Sequence, residues 1–308
     1  MLTLVLQLVF VLLIAPLAGG VIKVTKARLQ RRVGPPVWQT YADLRKFFRK
    51  EMVIAQSASW LFHVVPFVHM AAVAAAALMV PVVLTGAGNL PTGWGDMLLL
   101  VGLLALSRFS LAAAALEPGG AFGGMGSSRE MAVAAFVEPA LLLTLAAFTL
   151  KTGTTSLAGI ATGLAAKGWV GIIPGHLLSA VALVLIVVAE TGRVPVDNPD
   201  THLELTMIHE AMVLEYSGPY LALIVWSHDV KQLLMLTLLA NIALPVGTVG
   251  PLWLTLPLYL IKIVGFGVLL AFIETAMAKV RILKVPDLLM TSAALSVLAV
   301  LSDLQIGG

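Results

Sequence analysis

The chain contains no cysteine, and only 11% of its 308 residues are charged. Without thiols it forms no disulfide and ligates no iron–sulfur or nickel centre through its own sulfur, so any such chemistry belongs to another chain. The scarcity of charge excludes an ordinary water-soluble fold, in which every helix or strand carries a polar face. Internal repeats and long polar linkers are also missing, which leaves the inverted-repeat architecture of many secondary transporters without sequence support. No basic residue precedes the apolar run that starts at Leu2, so residues 2–22 read as a first spanning helix and not as a signal peptide.

What is present is hydrocarbon. Hydrophobic residues make up 59% of the chain, mean hydropathy is +1.00, and several runs approach the length that spans a bilayer. Eight candidate spans emerge: residues 2–22, 64–84, 94–116, 131–150, 172–189, 220–246, 252–273 and 288–301. The expected class is therefore all-α, a polytopic integral membrane protein whose residues 1–308 form a single transmembrane domain. The sixth run is long and holds Asp229 and Lys231, which reads either as a tilted helix or as a re-entrant piece followed by a shorter one.

Basic residues set the expected orientation, because positively charged loops are retained in the cytoplasm. Fourteen of the nineteen Lys and Arg residues fall in loops at about 23–63, 117–130, 190–217 and 278–287, against Lys151 and Lys167 in the opposite loops. Both termini are thus expected outside. The formal net charge of +3 is concentrated beside the first span, where it fixes topology and gives no reason to expect nucleic-acid binding. Within that first loop Val37, Tyr41, Leu44, Phe47 and Phe48 recur at helical spacing opposite Asp43, Arg45, Lys46 and Arg49. This pattern predicts an interfacial amphipathic helix lying on the lipid surface or against a docked subunit.

Ionisable residues at membrane depth are costly unless paired or hydrated, and so mark function. They are Arg108, Glu138, Lys231, Lys262 and Glu274, with Glu190 at the inner end of the fifth span. Glu138 lies eight residues beyond Glu130, about 12 Å deeper at helical rise. Pro139 follows it and removes a backbone donor. Lys262 and Glu274 share the seventh span, about 18 Å apart along its axis. Such a set suits a charge relay, whose members have proton affinities moved by burial and neighbours. The plainer reading is mutual neutralisation in a packed bundle, as between Arg108 and Glu138.

Six acidic residues, one Arg and two His occupy positions 190–216 between spans that are almost pure hydrocarbon. Pro195, Pro199, Gly192, Asp197 and Asn198 predict an ordered turn-rich loop. A helix is expected from Asp200 or Thr201, with Leu203, Met207, Ala211 and Leu214 as its apolar side. His209-Glu210 does not make a zinc motif, since Val213 stands where the second His is required.

Glu190-Thr-Gly-Arg193-Val-Pro195-Val-Asp197, with Glu204-Leu205 and Glu215-Tyr216-Ser217, resembles a known loop. It joins the fifth and sixth helices in the quinone-site membrane subunit of respiratory complex I and its hydrogenase homologues. Ala27-Arg28 through Gly34-Pro35 with Trp38, Gln39 and Asp43 resembles that family's first loop, and Arg129-Glu130 with Glu138-Pro139 its fourth helix. Glu274 through Lys279-Val-Arg281 resembles the end of its seventh. The wording from Val196 to His202 departs from the complex I pattern of Phe-Asp and a Glu-rich run, and the seventh loop lacks an Arg- and Pro-rich sequence. Both departures favour the energy-converting group 4 NiFe hydrogenases and formate hydrogenlyase.

The resemblance implies a membrane anchor that makes no bonds itself, binds no cofactor or metal, and couples redox chemistry in a peripheral arm to proton or sodium translocation. Glu190, Asp197, Glu204, Glu210 and Glu215 would form an acidic funnel, supported by Arg193, Arg108 and Arg129. Glu138, Lys262 and Glu274 would carry charge onward. Implied partners are hydrogenase large and small subunits and an iron–sulfur subunit, which would hold the NiFe and iron–sulfur clusters, together with antiporter-like membrane subunits. The alternatives are a quinone-site subunit of a complex I-type NADH dehydrogenase and, in another class, a stand-alone secondary ion transporter.

Overall fold

Apolar runs that must satisfy their own backbone polar groups in lipid become helices, and helices account for the architecture of the computed structural model. It describes residues 2–55, 57–82, 95–167, 174–197 and 207–307. In chain order the helices are α1 (Leu2–Leu29), α2 (Gln39–Arg49), α3 (Trp60–Met79), α4 (Met97–Leu116), α5 (Ala121–Thr152), α6 (Leu157–Lys167), α7 (Pro174–Glu190), α8 (His209–Val213), α9 (Gly218–Ala243), α10 (Leu252–Ala276) and α11 (Val285–Gly307). A 3₁₀ turn, Ile282–Lys284, leads into α11. Among the described residues the only β-pairing is the isolated bridge between Asp96 and Ser156.

Seven of these helices, α1, α3, α4, α5, α9, α10 and α11, are long and apolar enough to cross a membrane. The chain is a polytopic, all-helical membrane protein. The expected fifth span corresponds to α7, which is 17 residues long as described, or about 25 Å. That leaves it just short of a full crossing, and the expected residues 172 and 173 lie outside the described set. The short helix α6 has no counterpart among the expected elements; it rests on α5 and α9 at the end of the bundle where Lys151 and Lys167 lie.

Two expectations need correction, and one alternative left open is decided. The fourth span starts not at residue 131 but at Ala121, so the segment expected as a loop at 121–130 is helical. Its glycines make the helix possible by letting it pack closely. A Cβ at Gly123 would lie 2.1 Å from the Ala115 carbonyl, and one at Gly126 would lie 2.9 Å from the Ile208 carbonyl. The sixth span is one continuous helix, Gly218–Ala243, with no re-entrant break. It is central, packing against α1, α2, α3, α7 and α10, and its window is the most buried of the seven spans at 72%. Finally, the helix expected from residue 200 does not run unbroken to Tyr216. Ile208 flanks a five-residue helix, His209–Val213, while residues 198–206 lie outside the described set. Of the expected apolar side, Met207 and Ala211 are buried and Leu214 is exposed.

The amphipathic helix appears as α2, and its apolar side packs on the chain itself. Leu44 is buried, the Tyr41 hydroxyl donates to the Leu13 carbonyl, and Phe48 meets Trp226 edge-on with centroids 6.4 Å apart. The connecting loops after α2, α4, α7 and α10 gather at one end. Val53 and Ser217 exchange two hydrogen bonds, Ser57 donates to the Pro118 carbonyl, and Val280 N–H donates to the Pro195 carbonyl.

Gly123→Val forces the α4–α5 turn apart, and overpacking of this kind costs roughly 1–3 kcal/mol. The expected outcome is a lower melting temperature of the detergent-purified protein, while Gly124→Ala, next door with only the Leu116 side chain within 4 Å of its added Cβ, is expected to match wild type.

Candidate functional site

Arg108 lies on α4, only 5% exposed, and is the one charged residue of that helix. A guanidinium buried there must find anions for its donors. It finds three. Nη1 is 2.8 Å from Glu138 and Nε 3.0 Å from Glu130, both on α5, and Nη2 donates to Glu190 at the end of α7. Lys231 of α9 reaches the same Glu190 carboxylate at 3.0 Å. Fully ionised, three carboxylates and two cations sum to one excess negative charge, a state that a single bound proton neutralises. Glu138 is the member nearest the surface, its side chain 31% exposed.

A second group is joined to the first through α9. Gln232, next to Lys231, accepts a 2.9 Å hydrogen bond from Arg193 Nη2. Arg193 Nη1 lies 2.9 Å from Glu274 of α10, and Lys26 of α1 reaches the other Glu274 oxygen at 2.7 Å. The loop after α7 aims Arg193 inward: Gly192 takes a left-handed φ of 57°, and residues 193–197 are buried. Asp197 fastens this loop at its far side, 3.0 Å from Lys279, and also accepts a 3.3 Å bond from the His209 backbone N–H. Asp229, one turn before Gln232, is buried and its Oδ2 has no hydrogen-bond partner.

Three imidazoles gather beside Arg108. His69 Nδ1 lies 2.9 Å from both the carbonyl and the hydroxyl of Ser107. The His209 and His228 rings stand 4.9 Å apart, and with His69 they line a water-sized cavity. Nearby, Tyr216 stacks on Phe62 with centroids 4.0 Å apart and donates to the Phe62 carbonyl. Burial pushes its hydroxyl above the ordinary value, which favours the neutral, donating form. Among the described residues no group of three or more His, Cys, Asp or Glu is arranged to hold a metal.

Of the residues singled out from sequence, Arg108, Glu138 and Glu190 meet in the first group, and Arg193 and Glu274 in the second. Asp197 joins through Lys279 and α8. Arg129 donates to the Met207 carbonyl at 3.0 Å and so anchors the approach to α8. Glu210 is half-buried on α8, Glu215 is exposed, and Glu204 lies outside the described residues. Lys262 is not brought to either group; its Nζ donates to the Leu244 carbonyl at the end of α9, 2.6 Å away. Sequence reasoning misses Glu130, Lys26, Gln232 and the pairing of Lys231 as members of the network. For Glu130 a signal exists, since it precedes Glu138 by about two helical turns, but the expected loop at 117–130 hides it.

Residues 2–302 match the profile of the family described as NADH dehydrogenase. The chain belongs to the NADH dehydrogenase family. It is similar to hydrogenase-4 component C of Escherichia coli (strain K12), 32% identical over 298 residues that cover 95% of this chain and 92% of the relative. Formate hydrogenlyase subunit 4 of the same organism is 32% identical, covering 87% of each. An NADH-quinone oxidoreductase subunit of Koribacter versatilis (strain Ellin345) is 29% identical over 61% of this chain and 45% of its own length. The fold matches a chain of the membrane-bound sulfane sulfur reductase, an archaeal respiratory membrane complex. That match has a TM-score of 0.82 at 22% identity and covers 97% of this family member and 98% of the other chain.

Removing the shared cation of this NADH dehydrogenase family member leaves buried Glu130 and half-buried Glu138 without their Arg108 partner and Glu190 with Lys231 alone. Arg108→Met is therefore expected to destabilise the protein by about 3–5 kcal/mol, read as a fall in thermal stability in detergent. Adding Glu190→Gln to it should recover part of that loss; a double variant no more stable than the single would show that the Arg108–Glu190 pair is not what the single change breaks.

Proposed function

We propose that this chain is the membrane anchor and ion-translocation-coupling subunit of a multisubunit, membrane-bound NiFe hydrogenase of the formate hydrogenlyase kind. The observation that carries the proposal is Arg108 shared among Glu130, Glu138 and Glu190, with Lys231-Gln232 linking that group to Arg193 and Glu274. Such a network, with one negative charge in excess in its first half, accepts a proton and transmits the change by redistributing pairs. The two relatives at 32% identity, whose names are those of hydrogenase and formate hydrogenlyase components, support this branch over a quinone-site subunit of a complex I-type NADH dehydrogenase.

In this reading the end of the bundle that holds residues 191–197 and α8 faces the cytoplasm and the peripheral arm. The one-sided Lys and Arg distribution supports that placement, and with it both termini outside. Hydrogenase large and small subunits and an iron–sulfur subunit dock there and carry the NiFe and iron–sulfur clusters, which a chain without cysteine does not supply. Glu190, Asp197, Glu204, Glu210 and Glu215 receive the charge change from the arm. Glu138, the most exposed member of the Arg108 group, hands it to antiporter-like membrane neighbours, and Glu274 couples the far side. Lys262 stands apart from this route, on the Leu244 carbonyl.

Two outcomes test the proposal. In proteoliposomes holding the whole complex, Glu190→Gln is expected to slow ion translocation by roughly a hundredfold or more, the loss typical of a removed proton-transfer group; undiminished translocation would overturn the assignment. An affinity tag on this chain should also co-purify cysteine-rich iron–sulfur proteins from native membranes, whereas a stand-alone transporter would be recovered by itself or as a homo-oligomer.

A further inference from the structure

His209 and Glu130 face each other across a gap that neither closes. His209 Nδ1 stands 3.9 Å from Glu130 Oε2, beyond hydrogen-bond reach, and polar pairs at that separation are commonly bridged by water. A cavity opens at this position, lined by Arg108, Glu130, His209, His228 and Lys231 among others, with room for about one water molecule. His228 supplies a buried Nδ1 that has no hydrogen-bond partner. Its ring lies 4.9 Å from that of His209.

The lining also selects the occupant. Glu130 opposes an anion, while Arg108 and Lys231, at the same wall, oppose a cation. A small neutral molecule that both donates and accepts meets all of these groups. Three polar partners, His209, His228 and Glu130, match the number that a buried water usually engages. His69 engages Ser107 through its Nδ1, whereas the buried Nδ1 of His228 has no partner and is the ring nitrogen that suits holding the molecule in place.

We propose that this cavity is a water site that passes protons between His209 and the Glu130 carboxylate, with His228 positioning the water. In the inward step the water takes a proton from His209 and releases one of its own hydrogens to Glu130. His209 ends neutral, Glu130 ends as the acid, and the water is regenerated, so atoms and charge balance. The cationic wall keeps the excess proton on Glu130 or His209 and off the water itself. The titratable and charged groups facing the site are His69 of α3, Arg108 of α4, Glu130 of α5, His209 of α8, and His228 and Lys231 of α9. This makes α8, fastened by its His209 backbone N–H to Asp197, the point where a proton from the loop after α7 enters the Arg108 group. The inference rests on the proposed coupling role of that group.

The test is a structure of the native complex at a resolution that shows ordered waters elsewhere in this chain. Density within about 2.6–3.2 Å of His228 Nδ1 and of His209 or Glu130 is expected; a cavity without density, beside well-resolved waters in other parts of the chain, overturns the site. A functional arm uses the whole complex in proteoliposomes. His228→Phe should lower ions moved per electron pair about tenfold, and His228→Asn, whose amide reaches the position of Nδ1, should restore most of it. Full translocation in His228→Phe together with loss in Glu190→Gln refutes the water route alone. Full translocation in both refutes the coupling role of the Arg108 group as well. If His228→Phe does not assemble, the density in the native complex decides.

Discussion

Everything in the centre of this molecule follows from the need to keep a buried guanidinium in contact with carboxylates. An ion taken out of water loses several kcal/mol unless close, well-oriented partners replace its hydration. Arg108 achieves this by drawing two carboxylates from α5 and one from α7 onto a single planar fork, a geometry that a lysine ammonium does not reproduce. Lys231 then supplies a second cation to Glu190 from α9. Four helices are thereby tied together at depth by charge, in a region where lipid offers no hydrophobic drive between them.

The close approach that these contacts require comes from small residues. Gly123 lets α5 lie against the end of α4, and Gly126 lets it receive α8, so Glu130 arrives within reach of both Arg108 and His209. The central position of α9 does the rest. With α1, α3, α7 and α10 packed around it, consecutive residues Lys231 and Gln232 point to different neighbours and join two ion-pair groups that share no other direct contact among those described. The residues that hold these helices together are thus the same ones proposed to carry charge, and close pairing of this kind couples the protonation of neighbouring groups.

Much of this is legible in the sequence, for identifiable reasons. Span length depends on an unbroken run of apolar residues, which any sequence displays, and each of the eight expected segments corresponds to a helix. The start of α5 is not legible, because Gly-rich residues 120–126 have poor helix propensity alone and become helical by packing on α4 and α8. Asp229 and Lys231 make the sixth run look interrupted, yet the surrounding helices bury that level and pair Lys231 with Glu190. Depth along a helix points to Glu138 and Glu274. The same argument includes Lys262, which the fold turns toward a backbone carbonyl, since depth says nothing about azimuth.

The amino-acid sequence by itself determined that this is a helical membrane protein, which apolar runs become its long helices, and which residues carry charge into them. These properties are sums over local composition, and the cost of exposing polar groups to lipid makes them hard to evade. Only the tertiary structure decided which charges meet. Arg108 lies 30 residues from Glu138 and 82 from Glu190, and Glu274 lies 248 from Lys26. Contacts across such separations depend on how each helix is rotated and how closely it approaches its neighbours. Those quantities are set by packing of the whole bundle and are carried by no single segment.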